Sequence, residues 1–432
     1  MKTLRYHERN FAGQLRQIAA QSSLFDRTIE TRTRAIVEAV AARGDQAILE
    51  FTERFDKARL TVRQLAVTQA ELKSAAAHAS PALRAAVAGA DRNVADFARR
   101  SLRRNWSARN KQGAKVGEKF DPFQRVGLYV PGGTAPLVST AIMSVTLARV
   151  AGCPEIVVCT PCGQDGRINP DLLYAVQAAG ATEVYRVGGA QAIAALALGT
   201  KTIRRVQKVF GPGNAYVVAA KRLLFGRVAV DLLPGPSELL VLADDQANPA
   251  FIAADMLAQA EHGSGHERVW LVTPSARLLG AVEQELARQM AACSRRELIE
   301  RALQSNGWFI QVKSLAEGIA VANLLAPEHC EVMTRQARQT ATKIFTAGAL
   351  LLGSYTPAVL GDYVAGPSHT LPTGGAGASF AGLTVDQFQR RTSVVEYTPA
   401  TLRKSLPTLA AFAEVEGLDA HGRSARIRLE KL

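Results

Sequence analysis

Histidine is scarce in this chain, seven in 432 residues, and five of the seven lie beyond residue 260. The first two of those five, His262 and His266, lie in the stretch NPAFIAADMLAQAEHGSGHE, residues 248–267. Asn248 suits a helix N-cap, Pro249 its first position and Gly263 its stop. Gln259 and His262, spaced i, i+3, then project from one helix face, with Asp255 on the same side. A plainer reading has His262 bonding a last-turn carbonyl. The competing pair His262/His266 has i, i+4 spacing, but Gly263 and Gly265 interrupt that helix. Further on, APEHCEV sets Glu328 beside His329. Neighbours on a regular strand face opposite ways, yet a chain just entering a strand after Pro327 lets both reach one cavity. A carboxylate beside an imidazole offers two proton acceptors of different pKa, useful for successive acid–base steps; a surface Glu–His pair is the alternative. A loop broken by Gly361, Gly366, Pro367 and Pro372 carries Asp362 and His369, and the C-terminal VEGLDAHGRSARIRL carries Glu416 and His421. Gln259, His262, Asp362 and His421 would offer mixed N/O ligands to a divalent metal of borderline softness such as zinc. Only a fold can bring ligands so widely spaced together.

The elements that must position these residues follow from periodicity. Residues before about 120 read as helices: Thr31–Arg43 ending at Gly44, a capping box at Thr68 and Glu71, and a long segment from Ser80–Pro81 to Leu102. No catalytic grouping stands out there. From Val126 the pattern alternates. Apolar runs at Val126–Val130, Glu155–Cys159, Glu183–Val187 and Val206–Phe210 are separated by helical segments near Ser139–Val150, Pro170–Ala179, Ala190–Leu198 and Asn214–Leu224. That alternation predicts parallel strands with crossover helices, a Rossmann-like arrangement. Three of these strands run into glycine-rich loops, PGGTAP at 131–136, GGAQ at 188–191 and GPGNAY at 211–216. Ligands in such sheets sit beyond the carboxyl ends of strands, and glycine lets backbone approach phosphate. The dinucleotide fingerprint is not met, because Tyr216 stands where the third glycine belongs, although Asp231 follows at a plausible distance. A second α/β stretch has strands at Val269–Thr273 and Trp308–Val312 and helices at Ala276–Met290, Arg295–Leu303 and Leu315–Leu325.

Length argues for two or three domains, and 47% hydrophobic with 21% charged residues describes a globular protein. No apolar run approaches the ~20 residues of a bilayer span. The charged start MKTLRYHERN lacks a signal core, and five cysteines fit a reducing compartment, so a cytoplasmic location is expected. Cys159 and Cys162 form a C-x-x-C with no second pair, which speaks against a zinc ribbon and leaves a redox pair as the alternative. The net charge of +14 peaks in Arg99–Lys119 around Trp106. Such a run could track phosphates with the indole stacking on a base. Its plainer reading is a solvated helix end and loop, and no nucleic-acid-binding signature accompanies it.

In order along the chain, GLYVPGGTAPL, VGGAQAIAALA, FGPGNAYV, DLLPGPSELLVLAD, AQAEHG, APEHCEV, GDYVAGPSHTLPTGG and EGLDAH resemble histidinol dehydrogenases, and the resemblance covers essentially all 432 residues. It implies a homodimer of intertwined subunits that oxidises L-histidinol to L-histidine through bound histidinaldehyde, reducing two NAD. By this resemblance Gln259, His262, Asp362 and His421 match zinc ligands, and Glu328 and His329 the catalytic pair. Ser237, Glu416 and His329 match substrate-contacting positions, with His369 and the four ligands beside them; Tyr129, Gln191 and Asn214 match NAD-contacting positions. The implied fold has two incomplete Rossmann-like domains with parallel sheets. The expected division is an N-terminal helical arm, 1–20; a first domain from 21–125 and 237–381; an NAD-side domain, 126–236; and a C-terminal helical unit, 382–432. That last unit would lend Glu416 and His421 to the neighbouring subunit. His266 matches no role, and a related enzyme for another small amino or hydroxy alcohol stays open as the alternative.

Overall fold

A computed structural model of the chain describes residues 1–20, 26–132 and 136–430. The boundary expected after residue 20 and the middle of the PGGTAP loop therefore lie outside the described residues. Two all-parallel sheets form the frame. The five-stranded sheet runs in the order Glu183–Arg186, Glu155–Thr160, Arg125–Tyr129, Lys208–Phe210, Ala229–Val230. The six-stranded sheet runs Lys2–Arg5, Gly307–Gln311, Arg268–Thr273, Glu238–Ala243, His329–Met333, Ala349–Leu352. Helices cover both faces of each sheet, and for that reason the strands read as continuous apolar runs. Successive side chains enter opposite cores. Leu128, Val158 and Phe210 pack in one cluster while Tyr129, Val157 and Val209 pack in the other. Leu239, Val241 and Leu271 likewise face away from Leu240, Leu242 and Trp270.

Local chemistry sets the helix ends as the spacing predicts. The helix Pro170–Ala179 is capped by Asn169, and Pro81–Ser101 by Ser80. Thr68 and Glu71 close a reciprocal capping box on Gln69–His78. The helix Pro249–Ala260 accepts its Asn248 cap but ends before His262, which lies in the following turn.

Four strands depart from the helical expectation. Lys2–Arg5 pairs with Gly307–Gln311 at the sheet edge, so the N-terminal arm is strand before it is helix. Trp106–Arg109 and Lys115–Pro122 join Gln389–Glu396 in a three-stranded antiparallel sheet. The basic run is a helix end at Arg99 and Arg100 and a link with Arg103 and Arg104, as expected, but it continues as strand surface around Trp106, whose indole N–H donates to Glu118 at 2.8 Å. The C-terminal unit is likewise not purely helical. Its β-branched Thr392, Val394 and Val395 favour the extended chain, but the pairing partner lies far away in sequence.

The packing of residues 27–101 also differs from the expected division. Leu72, Val87 and Val94 sit in one core of the five-stranded sheet, and Ile36, Val40, Ile48 and Phe51 in the other. By packing, this stretch goes with residues 126–236 rather than with 237–381.

Candidate functional site

The catalytic candidates lie at the amino edge of the six-stranded sheet. His329 is the first residue of its strand, and Glu238 is the first of the adjacent strand. His329 Nδ1 stands 3.3 Å from the Glu238 carbonyl oxygen. A carbonyl only accepts, so Nδ1 carries the proton and Nε2 is the nitrogen free to take one. Nε2 lies 3.8 Å from Asp362 Oδ1, and Nδ1 lies 3.6 Å from Glu328 Oε2. Burial pushes the imidazole down, but the charges of Glu328 and Asp362 and the Glu238 carbonyl outweigh it and raise it to about 9. Glu328 is itself buried and accepts the Glu238 N–H at 2.8 Å, which fixes its position beside the ring.

Asp362 comes from the short helix Ala358–Tyr363, and its backbone carbonyl lies 3.0 Å from His369 Nδ1. His369 Nε2 is 3.0 Å from Thr140 Oγ1, in the first turn of the helix Val138–Ala151. His369 therefore bridges the amino edge of one sheet to the helix that follows a glycine loop at the carboxyl edge of the other. Burial holds its pKa below the ordinary imidazole range.

Gln259, His262, Asp362 and Asp255 line one pocket. The Gln259 amide nitrogen is 3.4 Å from His262 Nδ1. Glu267 shapes the turn after His262 by accepting the Ser264 and Gly265 N–H groups. An amide, an imidazole and a carboxylate thus converge within one chain, a donor set suited to zinc. Among the described residues no group of three His, Cys, Asp or Glu side chains could hold a metal in the single chain. His421, on the helix Asp419–Arg426, and Glu416 are both exposed, and among the described residues neither lines this pocket. His266 is exposed and does not line it either. Ser237, directly before its strand, gives its carbonyl to the Arg268 N–H at 3.0 Å.

Beyond the carboxyl edge of the five-stranded sheet stand Tyr129, Gln191 and Asn214. The buried Tyr129 hydroxyl accepts the Gly189 N–H at 3.1 Å. Gln191 is buried with Oε1 unpartnered, the kind of atom a polar ligand would satisfy. Asn214 caps the helix Ala215–Leu224 through Oδ1. Gly211 has φ +109° and a Cβ would stand 2.1 Å from the Tyr129 carbonyl oxygen, so only glycine fits there. Asp231, the acid at fingerprint spacing, is not a free ribose partner. Its side chain is fully buried, pairs with Lys221 and accepts the Gly211 N–H at 2.8 Å. The C-x-x-C is no evident redox pair: Cys159 and Cys162 are buried free thiols, and burial raises Cys162 to about 11.

Two groups escaped the sequence reading. Glu238, held at about 7 by burial against the pull of Arg268, accepts Arg268 Nη1 and the Gly374 N–H, both at 2.9 Å. The second is Glu331, beside Asp255, whose Oε1 accepts the Ala358 N–H at 2.7 Å and so anchors the helix bearing Asp362, while its Oε2 is buried without a partner. Burial and the neighbouring Asp255 raise Glu331 well above the carboxylate range. A buried acid without a nearby base in sequence leaves little signal, although the polar residue inside the apolar strand HCEVM was one.

Two doubly covered parallel sheets, with an acid–base cluster at one edge and glycine loops at the other, define an α/β enzyme with incomplete Rossmann-like domains. The chain belongs to the histidinol dehydrogenase family, an oxidoreductase family, whose model matches residues 19–429. It is 43% identical over 411 residues to a histidinol dehydrogenase of Heliobacterium mobile, covering 95% of this chain and 96% of that one. A Geobacillus kaustophilus histidinol dehydrogenase is 44% identical over 412 residues, covering 94% and 96%. The crystal structure of histidinol dehydrogenase from Elizabethkingia anophelis superposes with TM-score 0.93 at 33% identity, covering 99% of this chain and 98% of that one.

Proposed function

We propose that the protein oxidises L-histidinol to L-histidine in two successive two-electron steps through a retained aldehyde, with NAD as acceptor and one zinc per subunit. The observation that carries this reading is the meeting of His329, Glu328, Asp362 and His369 with the Gln259–His262 pocket. Gln259, His262 and Asp362 would hold zinc within the chain, with His421 of a second copy as fourth ligand. Zinc held there would supply a positive charge that orients the substrate and offsets the charge of Asp362. NAD, when bound near Tyr129, Gln191 and Asn214, accepts a hydride in each oxidation. His329 Nε2 takes the hydroxyl proton in the first oxidation, and Glu328 activates water to hydrate the aldehyde. His329 gives its proton to the aldehyde oxygen as the hydrate forms, and is then free to take a proton from the hydrate in the second oxidation. Ser237, His369 and Glu416 orient the substrate around these groups.

The homodimer belongs to the same proposal. Val395 is 64% exposed, Phe412 62% and Val415 86%, all within the C-terminal unit that bears Glu416 and His421. Apolar side chains gathered there suit burial against a second copy. A cytoplasmic location belongs to the same proposal and rests on the free cysteines, which suit a reducing compartment; among the described residues no helix is long and apolar enough to cross a membrane.

The test is the NADH formed per L-histidinol consumed by zinc-loaded protein. Two NADH with free histidine is the expected result. One NADH with released aldehyde would remove Glu328 from its role, and no turnover with NAD still bound would move the reading to another alcohol.

A further inference from the structure

A dinucleotide site of this topology normally has an acid at the end of the second strand, where it accepts the adenosine ribose hydroxyls. Here the central first strand is Arg125–Tyr129 and the second is Glu155–Thr160. The second strand runs out through Thr160, Pro161, Cys162 and Gly163, with no acid. The next acid in sequence, Asp165, is exposed and closes its own turn by accepting the Arg167 N–H at 3.0 Å. Asp231 is committed to Lys221.

A carboxylate reaches this place from elsewhere in the chain. Asp56 ends the helix Asp45–Asp56, which packs on the five-stranded sheet through Ala47, Ile48 and Phe51. Its Oδ2 is buried without a hydrogen-bond partner. A Cβ on Gly188 would stand 3.3 Å from that oxygen and 2.8 Å from Pro161 Cβ, so the carboxylate lies between the ends of the second and third strands. Its charge also reaches Tyr129 and Cys162. Two further buried oxygens at this edge lack partners, Thr160 Oγ1 and Gln191 Oε1. Thr160 Oγ1 lies 3.0 Å from the Cβ position of Gly132, and Gln191 Oε1 2.8 Å from that of Gly189.

For stability alone, Asp56 is badly placed. A negative charge at a helix C-terminus opposes the macrodipole. Among the described residues no Lys or Arg pairs with it, and neighbouring Lys57 gives its Nζ to the Arg54 carbonyl instead. Burial raises the Asp56 carboxyl to about 6, as expected of an acid with no compensating donor. A donor-bearing ligand would supply what the fold withholds.

We infer that Asp56 is the acidic residue of the nucleotide site, accepting hydrogen bonds from the adenosine ribose hydroxyls and excluding a 2′-phosphate by charge. This rests on the reading of NAD as acceptor. It assigns the choice of NAD over NADP to a helix outside the strand-and-loop unit that holds the rest of the cofactor.

Isothermal titration of NAD and of NADP into wild type, Asp56→Asn and Asp56→Ala tests it, with melting temperature measured alongside. Wild type is expected to prefer NAD. Both variants should bind NAD at least tenfold more weakly and show at least a tenfold smaller NAD-to-NADP preference, with no fall in melting temperature. A purely structural role would weaken both nucleotides together and leave the preference unchanged, which overturns the assignment. Unchanged NAD affinity in Asp56→Asn overturns it as well, while NAD as acceptor survives. Wild type that binds neither nucleotide defeats both.

Discussion

The Lys221–Asp231 pair gives a sharp test of what holds the third glycine loop in place. Both side chains are 0% exposed. Lys221 Nζ donates to the carbonyls of Gly211, at 2.5 Å, and Leu232, at 3.1 Å, besides the Asp231 carboxylate. Asp231 in turn holds the Gly211 N–H, so both backbone polar groups of Gly211 depend on this pair. Removing one charge leaves the other buried and unpaired, which costs about 3–5 kcal/mol. Asp231→Asn and Lys221→Met should each destabilise by about 4 kcal/mol. In a cooperative unit of 150–250 residues that is a fall of roughly 8–16 °C in melting temperature. The double replacement Lys221→Met/Asp231→Leu removes both charges together but still strands the Gly211 and Leu232 backbone groups, so it should cost about 5 kcal/mol rather than the additive sum of about 8, a coupling of roughly 3 kcal/mol. Denaturant titration of the four proteins reads this directly. A single replacement costing less than about 1 kcal/mol, or losses that simply add in the double variant, would refute the pair as the loop's anchor.

Three other outcomes follow from the same structure. Glu183 is held at about 2, first by its hydrogen bond from Arg125. A depressed carboxylate contributes stability that is present above its ordinary value of 4.5 and lost as pH falls toward 2. With solvent screening this is worth about 2 kcal/mol, and Arg125→Met should flatten that part of the acid unfolding curve. Glu331→Gln should change stability by less than about 1 kcal/mol, because burial and the neighbouring Asp255 disfavour the charged carboxylate and an amide oxygen can still accept the Ala358 N–H; Glu331→Ala should cost about 1–3 kcal/mol by stranding that N–H. Equal stability of these two variants would speak against the Glu331–Ala358 bond as the anchor of that helix. Finally, mixing inactive His329→Asn and His421→Asn subunits should restore about a quarter of wild-type activity if His421 acts across the dimer, and none if it acts within its own chain.

Much of the secondary structure was legible because it rests on local causes. The helices Pro170–Ala179, Ala276–Met290 and Leu315–Leu325 begin and end where caps and apolar spacing predict. Lys2–Arg5, Trp106–Arg109 and Gln389–Glu396 were not legible, since a short polar strand is defined by the partner it pairs with. The candidate site divides the same way. Glu328 and His329 are conspicuous as neighbours, and Gln259 and His262 by helical spacing. Glu238 and Asp56 are ordinary acids in sequence; one acquires its role by burial beside Arg268, the other by a helix end arriving at Gly188.

The sequence by itself determined the alternation of strands and helices, the glycine loops and, through its joint motifs, the family. Which edge of each sheet carries the chemistry was a tertiary decision. The glycine loops follow strand ends, as parallel sheets favour, but His329 and Glu238 begin theirs, so the acid–base cluster sits at the amino edge of the other sheet. Periodicity reports which side chains face a core, because burial repeats along one element. It carries no information on how two sheets approach each other, since that depends on packing between residues hundreds of positions apart, such as Thr140 against His369.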